Sequence, residues 1–331
     1  MLYLSILLLL LLSYALYGRN SIGIFSKDAT LPLRGLLALF IVLHHISLRL
    51  TYMIPEASLF DLSEFRSWGD LIVSVFFFMS GYGIIKSYQR KGKSYLDGFL
   101  TGRLFRIVVP YIICCILYIP FNNISISSII CLETWKADCP FLPSSWFVMA
   151  IFIEYLFFYF MAKIFSEVKN TIISNYFLSL VLVFALICLD FRSWWWKDLI
   201  CFNFGMSISF HEEYLRRLLL NKKMLLVLGG LLLFVLNLPE LINISSNFLL
   251  PIRVFLLPIF VWQLVCYTKY TRNSILKWLG NISYEIYLVH TAILIYLYNT
   301  LGINSFLLII LTYTFTIISA LLLNICVKKL G

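Results

Sequence analysis

Residues 32–46 read PLRGLLALFIVLHHI. Between Arg34 and Arg49 lie fourteen residues, and only His44, His45 and Ser47 among them are polar. A helix needs about 20 predominantly apolar residues to cross the hydrocarbon core of a bilayer. The run over 33–50 has nearly that length, so it reads as a membrane span with two imidazoles inside it. Working outward, comparable runs fall at 2–17, 70–88, 104–121, 144–165, 172–189, 195–210, 224–238, 248–267, 278–299 and 304–327. The expectation is an all-α polytopic bundle: ten core transmembrane helices plus one extra N-terminal helix.

Composition agrees. Of 331 residues, 61% are hydrophobic and 13% charged, against about 45–50% and about 25% in a soluble domain. This excludes a water-soluble globule, a disordered chain and a disulfide scaffold. No stretch is long and polar enough for a separate soluble domain, so any chemistry belongs inside the bundle. The first run, MLYLSILLLLLLSYALYG, lacks a positive n-region and an A-x-A site, so it reads as an anchor rather than a cleaved leader. The chain divides into this anchor, residues 1–20, and a membrane domain over 30–328.

The net charge of +10 reflects topology, not nucleic acid. With these spans, 20 of the 26 Lys and Arg fall in loops on one side, which the positive-inside rule assigns to the cytoplasm. The other loops are mildly acidic. The expected location is the cell membrane, multi-pass, with the N-terminus outside and the C-terminus inside. Six of the eight cysteines lie in or near apolar runs and behave as small hydrophobes. Cys131 and Cys139 share one outer loop, where a disulfide is permitted but not required. No spacing suggests a metal site.

Ionisable groups inside a bilayer are costly, and their default reading is functional. Arg34 and His45 are eleven residues apart, almost three helical turns, so both project from one face about 16 Å apart. The simpler alternative is an interfacial arginine and a buried histidine bonded to a carbonyl. The span GDLIVSVFFFMSGYGIIKSY places Ser80 about 15 Å beyond Asp70, beside the phenol of Tyr82. SGYG also reads as plain helix packing, because small residues let helices approach. In WLGNISYEIYLVHTAIL, His290 lies about 20 Å beyond Lys277. His45, Ser80 and His290 are thus expected at one depth. Ser283, Tyr284 and Tyr287 have the three- and four-residue spacings that line a helix face. Glu285 reads as a proton partner or as the mate of Arg103 or Arg106. Glu154, eight residues past Trp146, needs a partner, and a histidine is the natural candidate. Trp146 itself fits an interfacial anchor. From Lys86 to Arg106 run six cations, which serve topology and anionic headgroups or form a phosphate-binding mouth. There Arg103 and Arg106, three apart, can act together.

Together these segments resemble the acyltransferase 3 family of integral membrane acyltransferases. The matching pieces are Arg34-x10-His45, FFFMSGY at 76–82, R-x-x-R-I at 103–107 followed by Pro110, Trp146 opening its span, and LGNISYEIYLVH at 279–290. They occur in the family's order. The resemblance implies transfer of an acyl group, commonly acetyl, from cytoplasmic acyl-CoA to a hydroxyl of a surface or lipid-linked carbohydrate. It makes His45 the catalytic histidine and Arg34 its partner, and it puts Arg103 and Arg106 at the acyl-CoA side. The chain departs from the pattern at Gly102, where many members have a second arginine, and at Ser74, where many have an aspartate. Many also carry an acid closer to the tryptophan than Glu154 is to Trp146. Some relatives carry an extracytoplasmic esterase-like domain that has no counterpart here, so the expectation is that the protein acts alone or with a separate partner on that side.

The mechanism that fits both readings uses His45 as general base on the acceptor hydroxyl. Ser80 or a tyrosine such as Tyr82 donates to the oxyanion, with His290 and Glu154 as further catalytic candidates. Lys86, Arg103, Arg106 and Tyr284 hold the donor. No resident cofactor is expected, and acyl-CoA is a substrate. A covalent acyl-enzyme relay is the chemical alternative. In another class altogether, a transporter or flippase for a glycan precursor would also place His and Glu within the membrane.

Overall fold

The computed structural model describes residues 2–17, 25–53, 62–118, 125–242, 249–267, 273–301 and 305–330. All regular elements among these residues are helical. They are α1 (Leu2–Tyr17), α2 (Lys27–Met53), α3 (Gly69–Lys91), α4 (Phe99–Tyr118), α5 (Trp146–Ile164), α6 (Val168–Cys188), α7 (Ile200–Phe210), α8 (Glu212–Leu219), α9 (Lys222–Ile242), α10 (Leu250–Tyr267), α11 (Ser274–Asn281), α12 (Ser283–Leu301) and α13 (Ser305–Leu330), with short turns between. Eight of the described helices are long and apolar enough to cross a membrane. The protein is therefore a multi-pass, all-α membrane bundle.

Three expected spans take a different form. The first, α1, has sixteen residues and is not among those eight. The run over 195–210 is a 3-10 turn at Ser193–Trp195 followed by α7. Eleven residues rise about 16 Å, too little to cross alone, because Arg192, Ser193, Lys197 and Asp198 interrupt the apolar stretch. The run over 278–299 belongs to two helices. The backbone leaves α11 at Ile282, and Ser283 Oγ–H donates to the Gly280 carbonyl at 3.0 Å. Cys131 and Cys139 are free thiols; Cys139 is buried with its sulfur 3.1 Å from the Tyr111 hydroxyl.

Glycine sets the two tightest crossings. Gly81 of α3 rests on the backbone of Phe202, and Gly205 of α7 rests on the backbone of Phe78. Gly35 of α2 meets the Leu276 carbonyl, and Gly280 of α11 meets the Leu31 carbonyl. A Cβ at any of these positions would collide with main chain. Without a hydrophobic drive between helices in lipid, close backbone approach supplies the packing. Gly81 thus bears out the packing interpretation of SGYG.

Prolines inside helices leave carbonyls without a helical donor. Pro239 deprives the Val235 carbonyl, and buried Arg253 donates to it twice at 3.2 Å and to Leu236 O at 2.8 Å. Pro258 deprives the Val254 carbonyl, which accepts from the Cys201 thiol at 3.4 Å. The first helix joins the bundle at the end that carries Glu64. That carboxylate accepts from the amides of Tyr3 and Leu4 at 2.9 and 3.0 Å, capping two of the N–H groups a helix start leaves open. Farther along, Asn237 Nδ2 of α9 donates to Ser5 Oγ at 2.9 Å.

Candidate active site

Helices α2, α3, α4, α5, α11, α12 and α13 enclose a cavity of about 1600 Å³. On α2 its wall is Arg34, Ala38 and Ile41, successive turns of one stripe whose next member is His45. On α3 the wall is Val73, Phe76, Ser80, Gly83 and Ser87, a rise of about 21 Å at 1.5 Å per residue. On α5 it is Phe147, Ile151 and Tyr155, again at four-residue spacing.

The lower part is cationic. Lys27, Arg34, Arg103, Arg106 and Lys328 line it, against the single acid Glu285. Arg103 lies over the Tyr155 ring at 4.7 Å and the Phe99 ring at 5.4 Å, and it reaches the Tyr95 hydroxyl at 3.4 Å. Arg34 lines the same end, and among the described residues its buried Nε has no hydrogen-bond partner. Glu285 accepts from Asn324 Nδ2 at 2.7 Å instead of pairing with Arg103 or Arg106. A π-helical turn at Leu104–Val108 carries Arg106, and Tyr284 O–H donates to the Ile107 carbonyl within it at 2.8 Å. Such turns recur at functional sites. Tyr284 lines the cavity with its hydroxyl spent on bracing this turn.

Beyond the far end of the cavity three imidazoles meet. The rings of His44 and His45 are 4.8 Å apart, and those of His45 and His290 are 4.9 Å apart. His290 is fully buried, with Nδ1 2.7 Å from the Tyr287 carbonyl and Nε2 3.0 Å from Thr291 Oγ1. A carbonyl only accepts, so Nδ1 carries the proton and Nε2 receives the threonine O–H. His44 Nδ1 faces the Phe65 carbonyl at 3.0 Å, so it too is a committed donor. His45 is half-buried, and neither of its ring nitrogens is hydrogen-bonded among the described residues.

Several expected neighbours lie elsewhere. Ser80 lines the cavity but is not level with the histidines. The His44 ring packs on Gly69, eleven residues and about 16 Å along α3 from Ser80. The common depth required both helices to share membrane boundaries, and α3 instead begins where α2 has reached His44. Arg34 is not a contact partner of His45, being three turns below it. Tyr82, two residues from Ser80, faces the opposite side of α3, where its ring is 4.8 Å from that of Phe25. Lys86 does not line the cavity and pairs with the Glu212 carboxylate. Glu154 has no histidine partner. Its Oε2 accepts from Asn175 Nδ2 at 3.0 Å and Ser179 Oγ at 2.9 Å, within a buried cluster that Asn203 completes.

Residues not singled out from sequence also shape the site. Tyr155 is recognisable only as the third member of the 147–151–155 stripe. Asp138 and Ser144 belong to the loop before α5. Asp138 accepts from the amides of Cys139 at 2.7 Å and Ser144 at 2.6 Å. Burial pushes its carboxyl above the ordinary range, and these two N–H groups pull it back.

The site is thus a cationic vestibule that leads toward a trio of histidines. A family model described as an acyltransferase domain matches residues 33–327. The chain belongs to the acyltransferase 3 family. No curated protein and no solved structure matches it. As a member of the acyltransferase 3 family it is a membrane acyltransferase, and α1 lies outside the matched region.

Proposed function

We propose that this protein transfers an acyl group, acetyl first among them, from acyl-CoA to a hydroxyl of a surface or lipid-linked carbohydrate. The observation that carries the reading is the cavity itself, with five cations at one end and its apolar upper wall ending one helical turn from His45. The basic end faces the cytoplasm by the positive-inside rule. There Arg34, Arg103 and Arg106 hold the donor phosphates through charge-assisted hydrogen bonds. The pantetheine arm rises along Ser80, Phe76 and Val73.

The acceptor arrives from the opposite face. His45, neutral and with its nitrogens free, takes the hydroxyl proton as the oxygen attacks the thioester carbonyl. The C–O bond forms, the C–S bond breaks, and the proton passes to the departing thiolate, so the product is an ester plus the CoA thiol. His290 and His44, each fixed in its tautomer by an Nδ1–H bond to a backbone carbonyl, flank the His45 ring and position it. Ser80 lies too far below to serve the oxyanion.

Membranes containing the protein, given acetyl-CoA labelled in the acetyl group, should move label into a glycan fraction. His45→Gln should insert normally and lose that transfer. Transfer at the wild-type rate by His45→Gln would remove His45 from the mechanism. Absence of transfer by the wild type would favour a transporter.

A further inference from the structure

The lining of the cavity stops at Ile41, Phe147 and Tyr287, and His45 and His290 lie just beyond it. Tyr287 is the aromatic wall at this point. Its ring is 5.5 Å from that of Phe147 on the cavity side and 5.8 Å from that of His290 on the other. Its hydroxyl donates to the carbonyl of Ser144, which belongs not to the bundle but to the loop over residues 138–145. Ser144 holds φ at 60°, a left-handed conformation that costs a non-glycine residue energy and persists only where surroundings impose it. The imposing group is Asp138, whose Oδ2 accepts the Ser144 amide at 2.6 Å. The connection therefore runs from a loop at the end remote from the arginines, through one strained residue, to the ring that lies between Phe147 and His290.

We infer that Tyr287 is a partition between the donor cavity and the catalytic histidine, and that the 138–145 loop on the acceptor face holds it shut. This rests on the acyl-transfer reading of the site. With the partition closed, the thioester stays in the cavity, away from His45 and from water on the far face. An acceptor that moves the 138–145 loop releases the Tyr287 hydroxyl, the ring turns, and the thioester meets the base only when an acceptor hydroxyl is present. The side reaction so prevented is hydrolysis, in which water oxygen adds to the thioester carbonyl, the C–S bond breaks, and a free acid and the CoA thiol result.

Two measurements on the full-length protein test this. The first follows CoA thiol release from acetyl-CoA without acceptor, using protein reconstituted in nanodiscs. Tyr287→Phe keeps the ring and loses its tether, whereas Asp138→Asn weakens the loop and keeps the tyrosine. Each should raise acceptor-independent release about fivefold or more, the equivalent of one hydrogen bond; a merely structural role would lower it. If wild-type membranes transfer label to glycan but both variants release thiol at the wild-type rate, the partition is refuted.

The second measurement needs no turnover. Thr291→Cys puts a thiol beside His290, and inside-out vesicles present the basic end to a membrane-impermeant methanethiosulfonate, with modification located by peptide mass. Labelling should be slow in Thr291→Cys alone and about fivefold faster with Tyr287→Phe added, for the same one-bond reason. Equal rates would overturn the partition. A rate difference without any acetyl-CoA consumption would uphold it and remove the acyl-transfer reading instead.

Discussion

Glu154→Gln separates a structural carboxyl from a chemical one. In the structure Glu154 Oε2 accepts two hydrogen bonds, from Asn175 Nδ2 at 3.0 Å and Ser179 Oγ at 2.9 Å. A glutamine carbonyl can accept both, so Glu154→Gln should keep the thermal midpoint and the rate of acyl transfer. Glu154→Leu cannot. Asn175 Nδ2 would retain Asn203 Oδ1 at 2.7 Å, and Ser179 Oγ would retain the Asn175 carbonyl at 3.0 Å, so neither donor is fully orphaned. The loss is then two ordinary bonds at about 1 kcal/mol each. For a chain of 331 residues, whose unfolding entropy is about 2.1 cal/mol/K per residue, a loss of roughly 2 kcal/mol lowers the midpoint by about 3 °C. Tryptophan fluorescence during heating in detergent reads the midpoint, and label transfer from acetyl-CoA reads the activity. Loss of transfer by Glu154→Gln at an unchanged midpoint would refute this reasoning and return the carboxyl to the chemistry. An unchanged midpoint in Glu154→Leu would show that the buried cluster contributes nothing.

Arg103→Ala should raise the KM for acyl-CoA about tenfold to a hundredfold, the range for losing a hydrogen bond to a charged group, with little change in kcat; an unaltered KM would remove Arg103 from donor binding. Lys86→Ala should leave that KM within about twofold, because its ammonium is tied to Glu212 away from the cavity and a partly exposed pair contributes about 0–1 kcal/mol. A large effect on donor affinity would mean that the vestibule extends to Lys86. Gly280→Val should sharply reduce folded protein in a size-exclusion profile, because its Cβ would land on the Leu31 carbonyl; a normal profile would mean that the crossing of α2 and α11 is not tight.

Membrane class was legible because apolar runs of bilayer length have few other uses. The shared face of Arg34, Ala38, Ile41 and His45 was legible as well, since helical periodicity is a local property and α2 is continuous. Depth was not. Placing Ser80 level with His45 required knowing where α3 ends relative to α2, and that register is set by contacts such as Gly69 against His44, which no spacing encodes. The partner of Glu154 was misjudged for a related reason. A buried carboxyl suggests a cation, but Asn175 and Ser179, braced by Asn203, offer its Oε2 neutral donors, and each looks unremarkable in its own apolar run. Tyr287 could be assigned to a face from its spacing, whereas its bond to Ser144 joins residues 143 apart in the chain.

The correction in depth changes what the bundle has to accomplish. If the histidines lay at mid-membrane beside Ser80, donor and acceptor would each travel half the thickness, and the site would resemble the central pocket of a transporter. They lie instead where α3 begins, about 16 Å beyond Ser80, while every cation lining the cavity is toward the other end. On the acyl-transfer reading the thioester arm makes the whole journey and the carbohydrate hardly enters. The charge asymmetry suits that division, because on the same reading the cations would retain the nucleotide end and the aromatic upper wall of Phe76, Phe147 and Tyr287 would take only the uncharged arm. A carrier that moved a polar glycan across would need polar lining along its entire path. The upper wall on α3 and α5 offers Val73, Phe76, Phe147 and Ile151, which a sugar would find dry.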